Sequence, residues 1–134
     1  MKTNKIKITT DTKNYSILVG RNLINKLEKI LYANEQSFDK CLIVIDKNIP
    51  YKYKKILHNQ LNKKKLFKIN LIASEKNKNY QSVEKIHNIL FKNRFNRGDC
   101  LISFGGGIVG DIAGFASSTY KRGLKFINIP TTLL

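Results

Sequence analysis

The chain has 134 residues, enough for one domain with a real core, and carries a formal net charge of +16. The positive charge is nearly all lysine, scattered along the chain with many Asn and Ile, the bias of an adenine- and thymine-rich genome; with few arginines (Arg21, Arg94, Arg97, Arg122), it is read as solvated surface, against a nucleic-acid groove. No stretch is long and apolar enough to span a bilayer, and Met1-Lys2-Thr3-Asn4-Lys5 lacks the apolar segment of a signal peptide, so no membrane partner and a cytoplasmic location are expected.

Ile6 to Thr10 and Tyr15 to Val19 flank the polar turn Asp11-Thr12-Lys13-Asn14 and predict a hairpin. Gly20-Arg21-Asn22 then leads into a helix with Leu23, Ile24, Leu27, Ile30 and Leu31 on one face. Cys41-Leu42-Ile43-Val44-Ile45 is the clearest buried strand, ended by Asp46-Lys47-Asn48. Tyr51 to Lys64 predicts a second helix, Leu66 to Ile72 a further strand, and Ala73 to Lys78 a polar loop. Ser82 is read as the cap of a third helix carrying Val83, Ile86, Ile89 and Leu90.

Cys100 to Phe104 is a short apolar run suited to a strand covered on both faces. It runs into Gly105-Gly106-Gly107 and a helix of small and apolar residues, with Gly110 and Gly114 on its close-packing side. Lys125 to Ile129 is the last strand, followed by Pro130-Thr131-Thr132-Leu133-Leu134. Cys41 and Cys100 each open an apolar strand and are read as buried small hydrophobes. Alternating strands and helices predict an α/β fold: an N-terminal β-hairpin followed by a doubly wound, mostly parallel sheet.

A glycine turn between a buried strand and a helix lets a ligand approach the backbone, and the unbonded N–H groups of the new helix favour a phosphate or diphosphate. Gly105, Gly107 and Gly110 fit the spacing G-x-G-x-x-G, although the same glycines would also serve a plain tight junction. The ordinary dinucleotide fingerprint has an acidic residue roughly 20 residues further on to hold the ribose, and no carboxylate follows Asp111 in this sequence. Any ribose contact must come from earlier loops. In a parallel sheet the carboxyl ends of the strands share one edge, which gathers Asp46, Glu75 with Lys78, the glycine turn with Asp111, and Thr131-Thr132. Taken singly, Asp46 also suits a turn residue, Glu75 a solvated carboxylate and the threonines a strand end.

Phe104 to Asp111, Gly114-Phe115-Ala116, Tyr120-Lys121-Arg122-Gly123 and Ile129 to Leu134 together closely resemble 3-dehydroquinate synthase, a sugar-phosphate cyclase. The resemblance implies the Rossmann-like, NAD-binding half of that fold over residues 1–134. It implies an enzyme that converts 3-deoxy-D-arabino-heptulosonate 7-phosphate to 3-dehydroquinate and phosphate in the shikimate pathway, with NAD and a divalent metal (zinc or cobalt), as a homodimer. The implied cycle is oxidation by NAD⁺, loss of phosphate, reduction, ring opening and aldol closure. Residue by residue, Asp46 matches the position that meets the adenosine ribose, and Glu75 and Lys78 the loop that also grips the nucleoside end. Gly107, Ile108, Val109, Gly110 and Asp111 match the diphosphate turn, and Thr131 and Thr132 the hydroxyl pair near the cofactor. Arg122 matches an arginine that reaches the substrate phosphate across a dimer interface; on position alone it would be a surface arginine.

Ser74 stands where the family usually has Gly, and Ala73 where Asp or Pro is frequent. The family's metal-binding Glu and two His belong to a helical C-terminal domain that this sequence is expected to lack; His58 and His87 match no ligand position. The chain is therefore expected to be a truncated N-terminal domain without a catalytic residue or metal ligand of its own, and inactive alone. Two other readings are an inosose- or valiolone-type cyclase and a non-enzymatic basic binding module with a vestigial cofactor site.

Overall fold

The computed structural model describes residues 3–132; Leu133 and Leu134 of the C-terminal motif lie outside them. Near the N-terminus β1 (Asn4–Thr9) and β2 (Asn14–Val19) pair antiparallel, with Ile6 opposite Ile17 and Ile8 opposite Tyr15. Thr10 fixes the turn: its Oγ1 accepts from the Lys13 N–H at 3.0 Å and donates to the Lys13 carbonyl at 2.7 Å. Strand alternation puts Ile6, Tyr15, Ile17 and Val19 on one exposed face of this separate two-stranded sheet.

The main sheet is parallel, formed by β3 (Lys40–Asp46), β4 (Lys65–Leu71), β5 (Cys100–Gly105) and β6 (Lys125–Pro130) in the order β4-β3-β5-β6. Its helices are α1 (Leu27–Ala33), α2 (Tyr51–Gln60), α3 (Tyr80–Lys92) and α4 (Gly107–Thr119). Leu42, Val44 and Leu101 point to one face, where they pack with Val83, Ile86 and Leu90 of α3 and Val109, Ile112, Ala113 and Ala116 of α4. Cys41, Ile43, Ile45, Cys100, Ile102 and Phe104 point to the other, against Leu27 and Leu31 of α1 and Leu57 of α2. β3 and β5 are therefore covered on both faces, which is why their sequences read as continuous apolar runs.

Cys41 and Cys100 lie opposite each other in the β3–β5 register, both free and fully buried. The neighbouring Cys100 sulfur and burial push the Cys41 thiol far up, so it stays protonated and acts as a small apolar side chain.

From β3 the chain crosses through α2 to β4 on one side, then returns through α3 to β5 on the other. The carboxyl ends of β3 and β5 thus form the switch point of the sheet, the crevice where open α/β sheets take their ligands.

Three local expectations change. The helix expected from Leu23 begins as a 3-10 turn (Leu23–Lys26), entered through Asn22 in the left-handed region at φ 55°, and becomes α-helical at Leu27. The second helix stops at Gln60 rather than Lys64, because the Leu61 N–H bonds back to His58 in a tighter turn and the Lys65 N–H is taken by the Asp39 carbonyl as β4 begins. Asn79, not Ser82, caps α3: the Asn79 Oδ1 accepts from the Ser82 N–H at 3.0 Å, and Ser82 lies buried inside the first turn.

Candidate functional site: a glycine turn at the switch point

β5 delivers the chain to Gly105 at the carboxyl edge, and α4 starts two residues later. No side chain caps this helix; the Gly110 N–H bonds back to the Gly106 carbonyl at 3.0 Å, which leaves the amides of the first turn without helical partners. They and the positive end of the helix dipole face the crevice, an arrangement suited to an anion.

The three glycines do different work. A Cβ on Gly105 would lie 2.9 Å from the Val109 Cβ and 3.1 Å from the Asp46 Cβ, so this glycine lets β5, α4 and β3 close together. At Gly106 a Cβ would meet the Thr132 side chain at 3.2 Å, whereas at Gly107 it would meet nothing within 4 Å. Gly107 is exposed and faces open space beside the free amides. Further along the same helix, Gly110 and Gly114 sit against Asn128 and Phe126 of β6, the packing role expected of them.

Other expected residues gather around this turn. Asp46 ends β3 next to Gly105; its Oδ1 accepts from the Asn48 N–H at 2.9 Å, so one of its oxygens folds its own loop. The Thr131 N–H bonds to the Gly105 carbonyl at 2.9 Å, tying the end of β6 to the turn. Glu75, exposed, opens a 3-10 turn (Glu75–Asn77) beyond β4 on the same edge. Lys78 closes the group, with its Nζ 2.8 Å from the Asp111 Oδ2 of α4. The Asp111 carboxylate, and more weakly Glu75, raise the Lys78 pKa above its ordinary value. Lys78 and Asp111, expected to touch a ligand separately, are thus joined to each other. Among Gly107 to Asp111, Val109 is fully buried in the core, so its contribution to a site is its backbone amide.

Arg122 is not with them. It sits beyond the carboxyl end of α4, about 20 Å from the glycine turn at 1.5 Å per helical residue, on the opposite edge of the sheet. Lys121, Arg122 and Gly123 form a left-handed run there, with φ of 44°, 63° and 111°. The run is anchored on the Phe95 carbonyl, which accepts from the Lys121 Nζ at 2.8 Å and the Tyr120 hydroxyl at 3.2 Å. His58 and His87 lie on α2 and α3, on opposite faces of the sheet. Among the described residues, no three His, Cys, Asp or Glu side chains come together as a metal site. No helix among them is long and apolar enough to cross a membrane.

One pair escaped the sequence reading. The Ser103 hydroxyl, buried in β5, bonds to the Asn128 Oδ1 of β6, directly beside Gly110. A serine inside an apolar strand and an asparagine in an edge strand were its only signals.

The family model described as 3-dehydroquinate synthase N-terminal matches residues 68–134. A 3-dehydroquinate synthase of Pelagibacter ubique is 54% identical over 130 residues, covering 97% of this chain and 35% of the relative. A crystal structure of 2-deoxy-scyllo-inosose synthase with carbaglucose-6-phosphate, NAD⁺ and Co²⁺ superimposes with a TM-score of 0.83 at 20% identity, covering 96% of this chain and 35% of that one. A structure of 2-epi-5-epi-valiolone synthase from Streptomyces hygroscopicus with NAD⁺ and Zn²⁺ gives 0.66 at 28% identity, over 75% of this chain and 29% of that one. The chain spans about a third of the length of the curated relatives it matches. With half its residues under that family model and the glycine turn, Asp46 and the strand-end threonines on one edge, the chain belongs to the 3-dehydroquinate synthase family.

Proposed function

We propose that this chain is the NAD⁺-binding domain of a cytoplasmic 3-dehydroquinate synthase acting on 3-deoxy-D-arabino-heptulosonate 7-phosphate. The observation that carries this reading is the open position at Gly107, two residues beyond the Gly105 that packs against Asp46. A diphosphate fits over the uncapped first turn of α4, and the Asp46 carboxylate is one strand away to accept from a ribose hydroxyl. Gly107, Ile108, Val109 and Gly110 offer backbone there, Thr131 and Thr132 close the far side, and Glu75 with the Lys78–Asp111 pair forms the rim. NAD⁺, when bound, supplies a hydride acceptor; the protein's part is to hold it in one pose, and orientation alone is worth several powers of ten in rate. The divalent metal finds no ligand set among the described residues, and none of its chemistry is assigned to them.

In this reading Arg122 serves the substrate phosphate of a second copy, since its own glycine turn is a helix length away. The 54% identity to a 3-dehydroquinate synthase favours that reaction over the inosose and valiolone cyclases, which are similar at 20% and 28%. Calorimetric titration of the chain with NAD⁺ tests the reading. Saturable binding that Gly107→Val abolishes supports it. Absence of binding, or binding indifferent to Gly107→Val, overturns it.

A further inference from the structure

The Ser103–Asn128 pair has no part in the reading above. Ile69, Val44, Ser103 and Asn128 stand side by side in one row across β4, β3, β5 and β6, on the face covered by α3 and α4. The row is apolar until it reaches Ser103, which is fully buried in a strand whose other side chains are apolar. A buried hydroxyl needs a partner, and among the described residues the Asn128 Oδ1 is its acceptor. Asn128 is exposed, and water would serve its amide equally well. The bond therefore fixes the asparagine in place without being needed to satisfy it.

What it fixes lies against the glycine turn. The Asn128 amide occupies the space a Gly110 side chain would take: a Cβ there would stand 3.2 Å from its Oδ1, 3.5 Å from its Nδ2 and 3.7 Å from its Cγ. The Gly110 N–H bonds to the Gly106 carbonyl in the first turn of α4. One turn further on, Gly114 rests on the Phe126 ring, 3.4 Å away by the same measure. An apolar contact of that kind is non-directional and lets a helix slide. A seat tied to the sheet by a directional hydrogen bond does not.

We propose that Ser103 and Asn128 are positioning residues for the anion-binding turn. Their bond holds the amide on which Gly110 sits, and so sets where the amides of Gly107 to Gly110 stand over the crevice. This deepens the cofactor reading above and rests on it for the identity of the ligand. Replacing both partners of a hydrogen bond by apolar groups of the same shape is nearly neutral for stability. A pair kept for folding and a pair kept for placement therefore answer differently to that replacement.

The double variant Ser103→Ala/Asn128→Leu makes it, since leucine has the branching of asparagine. Three measurements form the test: thermal melting, NMR order parameters of the Gly107 to Gly110 amides without ligand, and calorimetric titration with NAD⁺. Asn128→Leu alone strands the Ser103 hydroxyl and should melt early; adding Ser103→Ala should restore the melting temperature. The order parameters should nevertheless stay below wild type. NAD⁺ affinity should stay about two- to tenfold lower, because the turn can lose no more order than one hydrogen bond supplied. Ser103→Ala alone leaves no buried group unpaired and gives the same answer if the double variant does not fold. Ser118→Ala, at the far end of α4, should change neither order nor affinity. Where the wild type binds NAD⁺, a variant that melts like it and binds as tightly overturns the proposal. Where the wild type binds none, the cofactor reading falls and the order parameters decide: loosened amides uphold the seat, and unchanged ones overturn it.

Discussion

Asp46 and Gly105 stand side by side across the β3–β5 junction, so close that a Cβ on the glycine would lie 3.1 Å from the Asp46 Cβ. The contact joins the two halves of the crevice, the carboxylate from one strand and the turn from the next. It also separates what a glycine does for the fold from what a glycine does for a ligand.

Gly105→Ala should destabilise the domain by about 1–3 kcal/mol, the usual cost of overpacking, because its new methyl meets Val109 and Asp46. Gly107→Ala should leave stability unchanged or raised by up to about 1 kcal/mol, since alanine is the better helix former and nothing opposes its Cβ. Thermal melts of the two variants check this. The idea fails if Gly107→Ala melts as early as Gly105→Ala.

Asp46→Asn keeps an oxygen for the Asn48 N–H but removes the negative charge, so stability should hold while NAD⁺ affinity falls roughly 10- to 150-fold, a loss of about 1.5–3 kcal/mol being typical for a hydrogen bond to a charged group. Asp46→Ala should lose affinity and also melt earlier. Calorimetry beside thermal denaturation separates the two effects.

The Lys78–Asp111 pair is exposed, so Lys78→Met should leave global stability essentially unchanged. Its consequence should be local. Amide exchange in residues 74–79 should quicken while that of β5 stays unchanged; uniform protection in the variant would show that the pair holds nothing.

Asn79→Ala should cost about 1 kcal/mol by removing the cap of α3, whereas Ser82→Ala leaves the Ser82 N–H and its bond to Asn79 in place and should cost less. Urea unfolding of both variants decides which residue is the cap.

Burial, and then the Asp99 carboxylate, raise the Tyr120 phenol above its ordinary value of 10.0. Because the native state favours the neutral phenol, this contribution is complete below pH 10.0 and is lost as pH rises through the native value. Absorbance titration should show one phenol ionising late in the wild type and absent in Tyr120→Phe. Stability should fall more steeply at alkaline pH in the wild type than in the variant.

Much of this architecture was legible in the residues. Leu42 to Ile45 and Cys100 to Phe104 have no polar alternation to expose, so burial on both faces and a parallel sheet followed directly. The glycine turn, its helix and the four strand ends on one edge followed from chain order in such a sheet. Cap identity and helix ends were less legible, because Asn79 and Ser82 are both good caps and the choice depends on which side chain reaches which amide.

The sequence by itself determined the order of strands and helices and the side of the sheet at which polar loops emerge, because local periodicity and parallel connection leave little choice. Tertiary packing decided the rest. It separated Gly105, pressed against Asp46 and Val109, from Gly107, which meets nothing. It joined Lys78 to Asp111 across 33 residues of chain. Such distances depend on how elements stack in space, and no spacing along one chain encodes them.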